Sequence, residues 1–197
     1  MMKAIIFDAD GMVLQNKTDI FSNRLHHTYG VPLEKILPFF KNEFQKCLVG
    51  QADLKEELQK YIQDWNWNQS IDELLRFWFE NESSVDQNIL QSIQRLQSQG
   101  TACYLATNNE QYRTKFLLEN LHLKNYFQNI FSSSNLGYKK TQPEFWATIF
   151  QSLSPLKRTD ILVWDDDSEN VLSARNFGFQ AELYTDFASY QKTLEKF

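Results

Sequence analysis

The sequence predicts an α/β protein, with a Rossmann-like parallel sheet that has helices on both faces and an inserted all-helical cap domain. Two apolar runs, residues 3–7 and 161–164, have the character of buried strands, and each leads directly into acidic residues. From about residue 87 onwards, strand-like and helical patterns alternate, which is typical of a parallel sheet joined by right-handed crossovers. The intervening sequence, from about residue 18 to residue 80, has helical patterns and no strand-like run.

The elements of the sheet follow one another along the chain with clear boundaries. The first strand is apolar without polar alternation, as expected of a parallel strand that is buried on both faces. The helix predicted over 86–99 ends at Gly100, a residue type that favours helix ends. Further strands are predicted at 102–106, 129–131, 161–164 and 181–184, and further helices at 111–121, 143–153, 169–177 and at the carboxyl terminus.

The helical part of the sequence also carries recognisable start and stop signals. Gly30, which is followed by Val-Pro, ends its first helix. The spacing of Ser70 and Glu73 matches a capping box and begins its last helix. Four helices are therefore predicted, at 19–29, 33–48, 54–65 and 71–79.

The position of the helical part predicts a discontinuous domain organisation. We divide the chain into a core, residues 1–15 and 87–197, and a cap of residues 16–86. Because the cap follows the first strand, we expect it to stand over the carboxyl edge of the sheet. There it can act as a lid that excludes water and selects substrates.

Composition and charge exclude several classes of partner. The chain has 197 residues, 42% of them hydrophobic, which suits one core with an insertion. Its formal net charge is −5 and no Lys/Arg-rich block offsets it, so we expect no nucleic-acid binding. No apolar run approaches the ~20 residues that span a bilayer, and no signal peptide precedes the first strand. We therefore expect no membrane association and a cytoplasmic location. Cys47 and Cys103 lack metal-ligand spacing and are expected to be buried.

Four polar clusters follow apolar strands or lie in loops that can reach the carboxyl edge of the sheet, where open α/β sheets place their ligand sites. So many acids on one rim would repel each other and raise each other's pKa values. A divalent cation that prefers oxygen ligands, such as Mg2+, would hold them together. The clusters are Asp8-Ala9-Asp10-Gly11, Ala106-Thr107-Asn108-Asn109, Gly137-Tyr138-Lys139-Lys140 and Asp165-Asp166-Asp167.

The order of these clusters resembles the haloacid dehalogenase-like hydrolase superfamily, and the resemblance covers essentially the whole chain. The helical insertion after the first cluster is similar to that of members with a small helical cap. The stretch Ser132–Lys140 resembles the third motif of the family. The stretch Asp165–Val171, followed by Ala174 and Gly178, resembles the fourth. Each motif alone is a weak signal, whereas four in order with consistent spacing make a strong one.

The resemblance implies a Mg2+-dependent phosphatase that acts on a small phosphorylated metabolite, such as a sugar phosphate. Asp8 would attack phosphorus and form an aspartyl-phosphate, which divides the displacement into two steps. Asp10 would protonate the leaving oxygen and then deprotonate the hydrolytic water. The backbone carbonyl of Asp10, rather than its side chain, would contact Mg2+.

The other clusters would bind the phosphoryl group and the metal. The resemblance implies that Thr107 donates a hydrogen bond to a phosphoryl oxygen, with Asn108 beside it in the substrate site. Lys140 would neutralise the phosphoryl group, whose charge spreads over its oxygens during transfer, and would orient Asp8. Asp166 would be the main metal ligand of the fourth cluster, and Asp165 would bind the metal directly or through water.

Some positions depart from the family pattern or leave a choice. Thr141 follows Lys140 where proline is common, which would loosen the loop. Lys139 is the alternative to Lys140 for the catalytic role. Asp167 stands where a small polar residue is usual and either adds charge near the metal or caps the next helix. Gln51, in a loop between two cap helices, resembles the position at which such caps touch substrate.

Other functions stay open at the level of sequence. A phosphomutase of the same fold would return the phosphoryl group to its substrate, and a non-catalytic member would only bind a metabolite or a protein. A dehalogenase is disfavoured because that chemistry does not use the second acid, and Asp10 is present. A receiver-type signalling module also combines acids, Thr and Lys around Mg2+. Such modules have no helical insertion after the first strand, so motif order disfavours that reading.

Overall fold

The described chain is built on a five-stranded sheet in which every pair of neighbouring strands is parallel. The computed structural model describes residues 2–15 and 19–197. The strands are β1 (Ala4–Asp8), β2 (Ala102–Thr107), β3 (Ile130–Ser132), β4 (Ile161–Asp165) and β5 (Gln180–Leu183). Their spatial order is β3-β2-β1-β4-β5, which confirms the predicted Rossmann-like sheet.

The central strand, β1, is buried along its whole length. Ile5 and Phe7 pack into one apolar cluster, whereas Ala4 and Ile6 pack into another on the opposite face of the sheet. A strand that is covered on both faces needs apolar side chains at consecutive positions, which explains the absence of alternation in this run.

Between β1 and the rest of the sheet, the described chain forms helices with a hydrophobic core of their own. The first of them ends at Gly30 in the left-handed conformation, and Ser70 and Glu73 form the predicted capping box at the start of the last. We refer to these helices and their connections, described from residue 19 to residue 86, as the cap. The cap helices are α1 (Phe21–Tyr29), α2 (Leu33–Lys41), α3 (Glu43–Cys47), α4 (Leu54–Gln59) and α5 (Ile71–Asn81).

The prediction of one continuous helix over 33–48 was wrong. The chain leaves the helical conformation at Asn42, whose φ is −116° and ψ is −84°. The break turns the following segment so that Phe44 packs against Phe40 and Trp78, with ring centroids 5.4 Å apart in both pairs. Burial of these rings in the cap outweighs the local preference for a longer helix.

The helix predicted over 54–65 also ends early, at Gln59, and the chain continues in turns. Trp65 is fully buried there, and its indole N–H donates to the backbone oxygen of Lys35 over 3.1 Å. Anchoring this large side chain in the cap core sets the path of the backbone, which the local pattern does not reveal.

Helices cover both faces of the sheet, as predicted. Ile89 and Tyr190 belong to the apolar cluster on one face, and Ile149 and Val171 belong to the cluster on the other. The short helix after β3 was not predicted; the Ser132 hydroxyl caps its first turn. The helices are α6 (Gln87–Ser98), α7 (Gln111–Glu119), α8 (Ser133–Leu136), α9 (Pro143–Ser152), α10 (Ser168–Phe177) and α11 (Phe187–Leu194).

Two further expectations concern the boundary between core and cap and the absence of a membrane-spanning helix. The predicted boundary between residues 15 and 16 adjoins residues 16–18, which lie outside the described residues, so the domain division stays a prediction. Within the described residues, no helix has both the length and the apolar character needed to cross a membrane. The cytoplasmic location stays a prediction.

Candidate active site

The carboxyl edge of the sheet brings three of the four clusters together through strand register. Asp8 at the end of β1 lies opposite Ala106 in β2, so Thr107 follows immediately beside it. On the other side, Phe7 lies opposite Trp164 in β4, which places Asp165 next to Asp8. The parallel arrangement of three adjacent strands therefore converts residues far apart in sequence into one site.

Lys140 completes this site from the loop between α8 and α9. Its ammonium donates hydrogen bonds to Oδ1 of Asp8 and, over 2.8 Å, to Oδ2 of Asp165. The Lys140 side chain is only 1% exposed. Lys139 points elsewhere and donates to Gln45 in the cap. Of the two adjacent lysines, the structure brings Lys140 to the carboxylates.

The buried ion pairs shift the protonation equilibria of the site. Burial raises the pKa of Asp8 well above its ordinary value, and Asp165 adds to this effect, while the Lys140 ammonium opposes it. Burial alone would lower the pKa of Lys140, but the two carboxylates outweigh it and raise that pKa. Lys140 is therefore held as a cation at neutral pH. Additional positive charge at the site would favour the ionised form of Asp8.

The loop that carries Lys140 is fixed by side chains on both sides. Lys140 donates its backbone N–H to Oδ1 of Asn108 over 3.0 Å, and its backbone oxygen accepts from the Trp146 indole over 2.7 Å. Gln142 accepts from the backbone N–H of Lys139 over 2.8 Å. These bonds hold the loop although Thr141 stands at the position of the family's proline. Asn108 thus has a positioning role that sequence reasoning missed.

Three acids form a group that can hold a metal ion. One carboxylate oxygen from each of Asp8, Asp165 and Asp166 lies within 4.8 Å of the others. Asp165 Oδ1 also accepts from the backbone N–H of Asp167 over 3.0 Å and from the Asn170 amide over 3.1 Å. An all-carboxylate donor set at the edge of a parallel sheet fits Mg2+, a hard cation that prefers oxygen ligands. The residues present therefore fit the predicted metal.

Asp167 does not join this group among the described contacts. Its carboxylate accepts from the backbone N–H of Glu169 over 2.7 Å and caps α10. Of the two roles considered for this residue, the structure shows the helix cap, which places negative charge at the positive end of the helix.

Because Gly11 has no side chain, the Asp166 carboxylate can lie close to the backbone of the turn after β1. Its φ is +91°, and a Cβ atom at this position would lie 1.9 Å from Oδ2 of Asp166. A residue with any side chain would therefore meet both backbone strain and a collision with a candidate metal ligand. The glycine is required by the site as well as by the turn after β1.

The Asp10 carboxylate is held by two donors: Asn109, which belongs to the second cluster but was given no role from sequence, and Arg113, which sequence reasoning did not identify. Arg113 donates to its Oδ1 over 3.0 Å, and the Asn109 amide donates to its Oδ2 over 2.6 Å. The same Asn109 nitrogen lies 2.6 Å from the hydroxyl oxygen of Thr107. This network fixes Asp10 relative to the end of β2, with the carboxylate still partly exposed.

Arg113 links the candidate site to the chain that connects the cap with the core. Besides Asp10, its guanidinium donates to the backbone oxygens of Phe79 and Glu82 and to the hydroxyl of Ser83, over 2.6–3.0 Å. The side chain is buried. The only sequence signal for Arg113 was its position in the first turn of the helix after the second cluster. An ordinary surface arginine can stand at the same position.

A cavity of about 270 Å³ opens above Asp10, between cap and core. Its floor includes Gly11, Asn108 and Asn109, and its cap wall is formed by Glu82 and several apolar side chains. Gln51 lies instead in a neighbouring polar cleft of about 310 Å³, together with Asp53 and Gln111. The assignment of Gln51 as a specificity residue stays a prediction.

Comparison with known proteins identifies the family. The family model described as haloacid dehalogenase-like hydrolase matches residues 5–182. The chain therefore belongs to the haloacid dehalogenase-like hydrolases, and it is an enzyme of the hydrolase class. This confirms the family indicated by the four motifs. No curated protein matches the chain by sequence.

Solved structures agree with the fold over nearly the full chain. A haloacid dehalogenase family enzyme from Bacteroides thetaiotaomicron has a TM-score of 0.85 at 14% identity, covering 98% of both chains. The same enzyme is also solved in complex with magnesium and inorganic phosphate. A predicted family hydrolase from Porphyromonas gingivalis has a TM-score of 0.80 at 16% identity, covering 100% of this chain and 97% of that chain.

The family also contains enzymes with a different reaction. L-2-haloacid dehalogenase from Xanthobacter autotrophicus, solved with chloropropionic acid covalently bound, has a TM-score of 0.66 at 18% identity. The match covers 100% of this chain and 83% of that chain. At these identities the structural likeness establishes the fold, and the reaction has to be argued from the side chains of the site.

Proposed function

We propose that this hydrolase is a Mg2+-dependent phosphatase that acts on a small phosphorylated substrate through an aspartyl-phosphate. The observation that carries the proposal is the placement of the Lys140 ammonium between the carboxylates of Asp8 and Asp165, with the Asp10 carboxylate oriented two residues after Asp8 by Arg113 and Asn109. A nucleophile, a fixed cation and a separate acid are the groups that phosphoryl transfer requires.

The proposed reaction has two displacements at phosphorus. An oxygen of Asp8 attacks, the ester P–O bond breaks, and the departing alcohol oxygen takes a proton from Asp10. Water then attacks the aspartyl-phosphate while Asp10 accepts its proton, which releases inorganic phosphate and restores the Asp8 carboxylate. Thr107 and Lys140 stabilise the phosphoryl oxygens, on which negative charge is spread during both displacements.

The residues proposed to hold Mg2+ are Asp8, Asp166 and the backbone carbonyl of Asp10. We assign Asp165 to contact through water, since its two oxygens accept from Lys140, Asp167 and Asn170. When bound, Mg2+ supplies positive charge that favours ionised carboxylates and a neutralised phosphoryl group. The Mg2+ and phosphate complex of the Bacteroides thetaiotaomicron enzyme is consistent with this proposal.

The two donors on Asp10 favour phosphatase over dehalogenase chemistry. The dehalogenase reaction has no use for an acid at this position, whereas here Arg113 and Asn109 orient its carboxylate. A phosphomutase uses the same first displacement and differs in the acceptor of the phosphoryl group. It is the second candidate, and product analysis separates the two.

The test is Mg2+-dependent release of phosphate from p-nitrophenyl phosphate and a panel of phosphate monoesters. We expect Asp8→Asn to abolish release, and Asp10→Asn to stop turnover while aspartyl-phosphate accumulates on the protein. Asp86→Asn is the matched control, because Asp86 caps α6 outside the site and asparagine caps equally well. Wild-type turnover that persists in Asp8→Asn would contradict the proposal.

A further inference from the structure

We infer that the alcohol part of the substrate is a single uncharged apolar group, such as a benzyl or similarly sized aryl-alkyl group, rather than a sugar or a second anionic group. The inference rests on the proposed phosphatase function and concerns the cavity above Asp10. Four properties of the cavity support it: its apolar cap side chains, a lack of available positive charge among its described lining residues, the scarcity of free hydrogen-bonding groups among them, and its size.

Apart from Glu82, the residues that the cap contributes to the described lining of the cavity are apolar. Phe44 and Leu48 line it from α3 and the turn after it, and Trp78 and Phe79 line it from α5. The one polar atom in these four side chains, the Trp78 indole N–H, already donates to Glu82 over 3.0 Å. These four side chains therefore offer aromatic and aliphatic contact and no free hydrogen-bonding group. An apolar group in contact with them gains from leaving water.

Among the described residues that line the cavity, no cation is free to pair with a second anion of the substrate. The described lining residues with charge are three acids, Asp10, Glu82 and Glu110, and one base, Arg113. Both terminal nitrogens of Arg113 donate to protein oxygens, as described above for Asp10 and the cap connection. A carboxylate or a second phosphate on the substrate would find no free cation among these described residues, which disfavours its binding.

Apart from Gln15, the described lining offers a sugar ring few side-chain partners. The floor amides use hydrogen-bonding groups within the protein: Asn108 Oδ1 accepts from Lys140, and Asn109 Nδ2 is shared by Asp10 and Thr107. Both oxygens of Glu110 accept from backbone N–H groups of α7. A hydroxyl buried without a partner costs about 1–3 kcal/mol, and a sugar carries several.

The cavity volume sets the size of the group. Its volume is about 270 Å³. An apolar cavity of roughly 150 Å³ holds benzene, so the space accommodates one ring with a short linker to the phosphoryl group.

The experiment measures binding and turnover separately. Calorimetry with Mg2+ present compares benzylphosphonate, which cannot be hydrolysed at an ester bond, with the phosphonate analogue of glycerol phosphate. Kinetics compares benzyl phosphate with glycerol phosphate and a hexose phosphate. We expect benzylphosphonate to bind at least about tenfold more tightly than the polar phosphonate, and kcat/KM to rank in the same order.

Two variants test the wall directly. Leu48→Gln should weaken benzylphosphonate binding by about tenfold while it leaves the polar phosphonate unchanged or bound more tightly. Leu37→Gln is the matched control, because Leu37 is on α2 in the same cap, is 39% exposed and does not line the cavity. Thermal unfolding of both variants establishes that the cap is folded.

The outcomes separate the two proposals. Tighter binding of benzylphosphonate that Leu48→Gln removes supports the inference, even if no ester is hydrolysed, in which case the phosphatase proposal fails alone. Turnover that depends on Asp8 but favours the hexose phosphate supports the phosphatase and overturns the inference. Equal binding of the two phosphonates also overturns it, whatever the kinetics show.

Discussion

Substitution of Gly11 by alanine should remove a metal ligand without touching any carboxylate. The new Cβ would lie 1.9 Å from Asp166 Oδ2 and 2.4 Å from its Cγ, far inside van der Waals contact, so the Asp166 carboxylate has to retreat by about 1 Å. Mg2+ requires near-octahedral geometry at about 2.0–2.1 Å, which a displacement of this size does not preserve. We expect Mg2+ affinity to fall at least tenfold, which corresponds to about 1.4 kcal/mol.

Backbone strain accompanies the substitution and needs its own control. Gly100 has a φ of +89°, close to the +91° of Gly11, and a Cβ there would meet nothing within 4 Å. Both alanine variants should therefore lose about 1–2 kcal/mol of unfolding free energy from the left-handed conformation. Only Gly11→Ala should lose Mg2+ binding in titration calorimetry. If the two variants bind Mg2+ equally well, Asp166 does not bind the metal from its position against Gly11, and the proposed metal site is wrong.

Three further predictions test the network around the site. Lys140→Met leaves two buried carboxylates without their ammonium, so urea denaturation should show that the free energy of unfolding falls by about 3–5 kcal/mol, a loss that saturating Mg2+ partly restores. A variant as stable as the wild type would contradict the ion-pair geometry. Arg113→Lys keeps the positive charge but loses the planar set of donors, so kcat should fall at least about tenfold while Mg2+ affinity is unchanged. Steady-state kinetics measures the first quantity and calorimetry the second. An unchanged kcat would show that the contact with Asp10 is dispensable. Burial raises the pKa of Glu110 to about 7 from an ordinary 4.5, so the folded state favours its protonated form. The resulting stability is present below about pH 4.5 and is lost as the pH rises through 7. Between pH 5 and pH 8, the unfolding free energy of Glu110→Gln should therefore fall by about 1–3 kcal/mol less than that of the wild type, as urea titrations can measure. Parallel curves of unfolding free energy against pH for the two proteins would show that Glu110 ionises normally.

The parts of the site that could be predicted are those that depend on local sequence and on sheet topology. An apolar run followed by acids predicts a buried strand whose carboxyl end carries charge, and this holds for β1 with Asp8 and for β4 with Asp165. Parallel pairing then requires these ends to meet at one edge. The capping box at Ser70 was predictable for the same reason, since all its hydrogen bonds lie within four consecutive residues.

The parts that could not be predicted depend on contacts between distant segments. Arg113 is separated from Asp10 by 103 positions, and nothing in its own helix distinguishes it from a solvated arginine. The break at Asn42 is likewise set by aromatic packing inside the cap rather than by a local breaker at that residue. The apolar character of the cavity also depends on which faces of α3 and α5 point towards the core, and a pattern of residues does not give that orientation.

The contacts of Arg113 imply that the position of the cap and the orientation of Asp10 are not independent. One guanidinium donates to Asp10 and to three oxygens of residues 79–83, the segment through which the cap returns to the core. A hydrogen bond weakens steeply when its donor angle falls or its length increases, so a shift of this segment alters the support of Asp10. The Asn109 contact, by contrast, ties Asp10 to the core alone. Movement of the cap would therefore act on one of the two donors that orient the proposed acid, whereas the other donor and the carboxylates of the metal group all belong to the core.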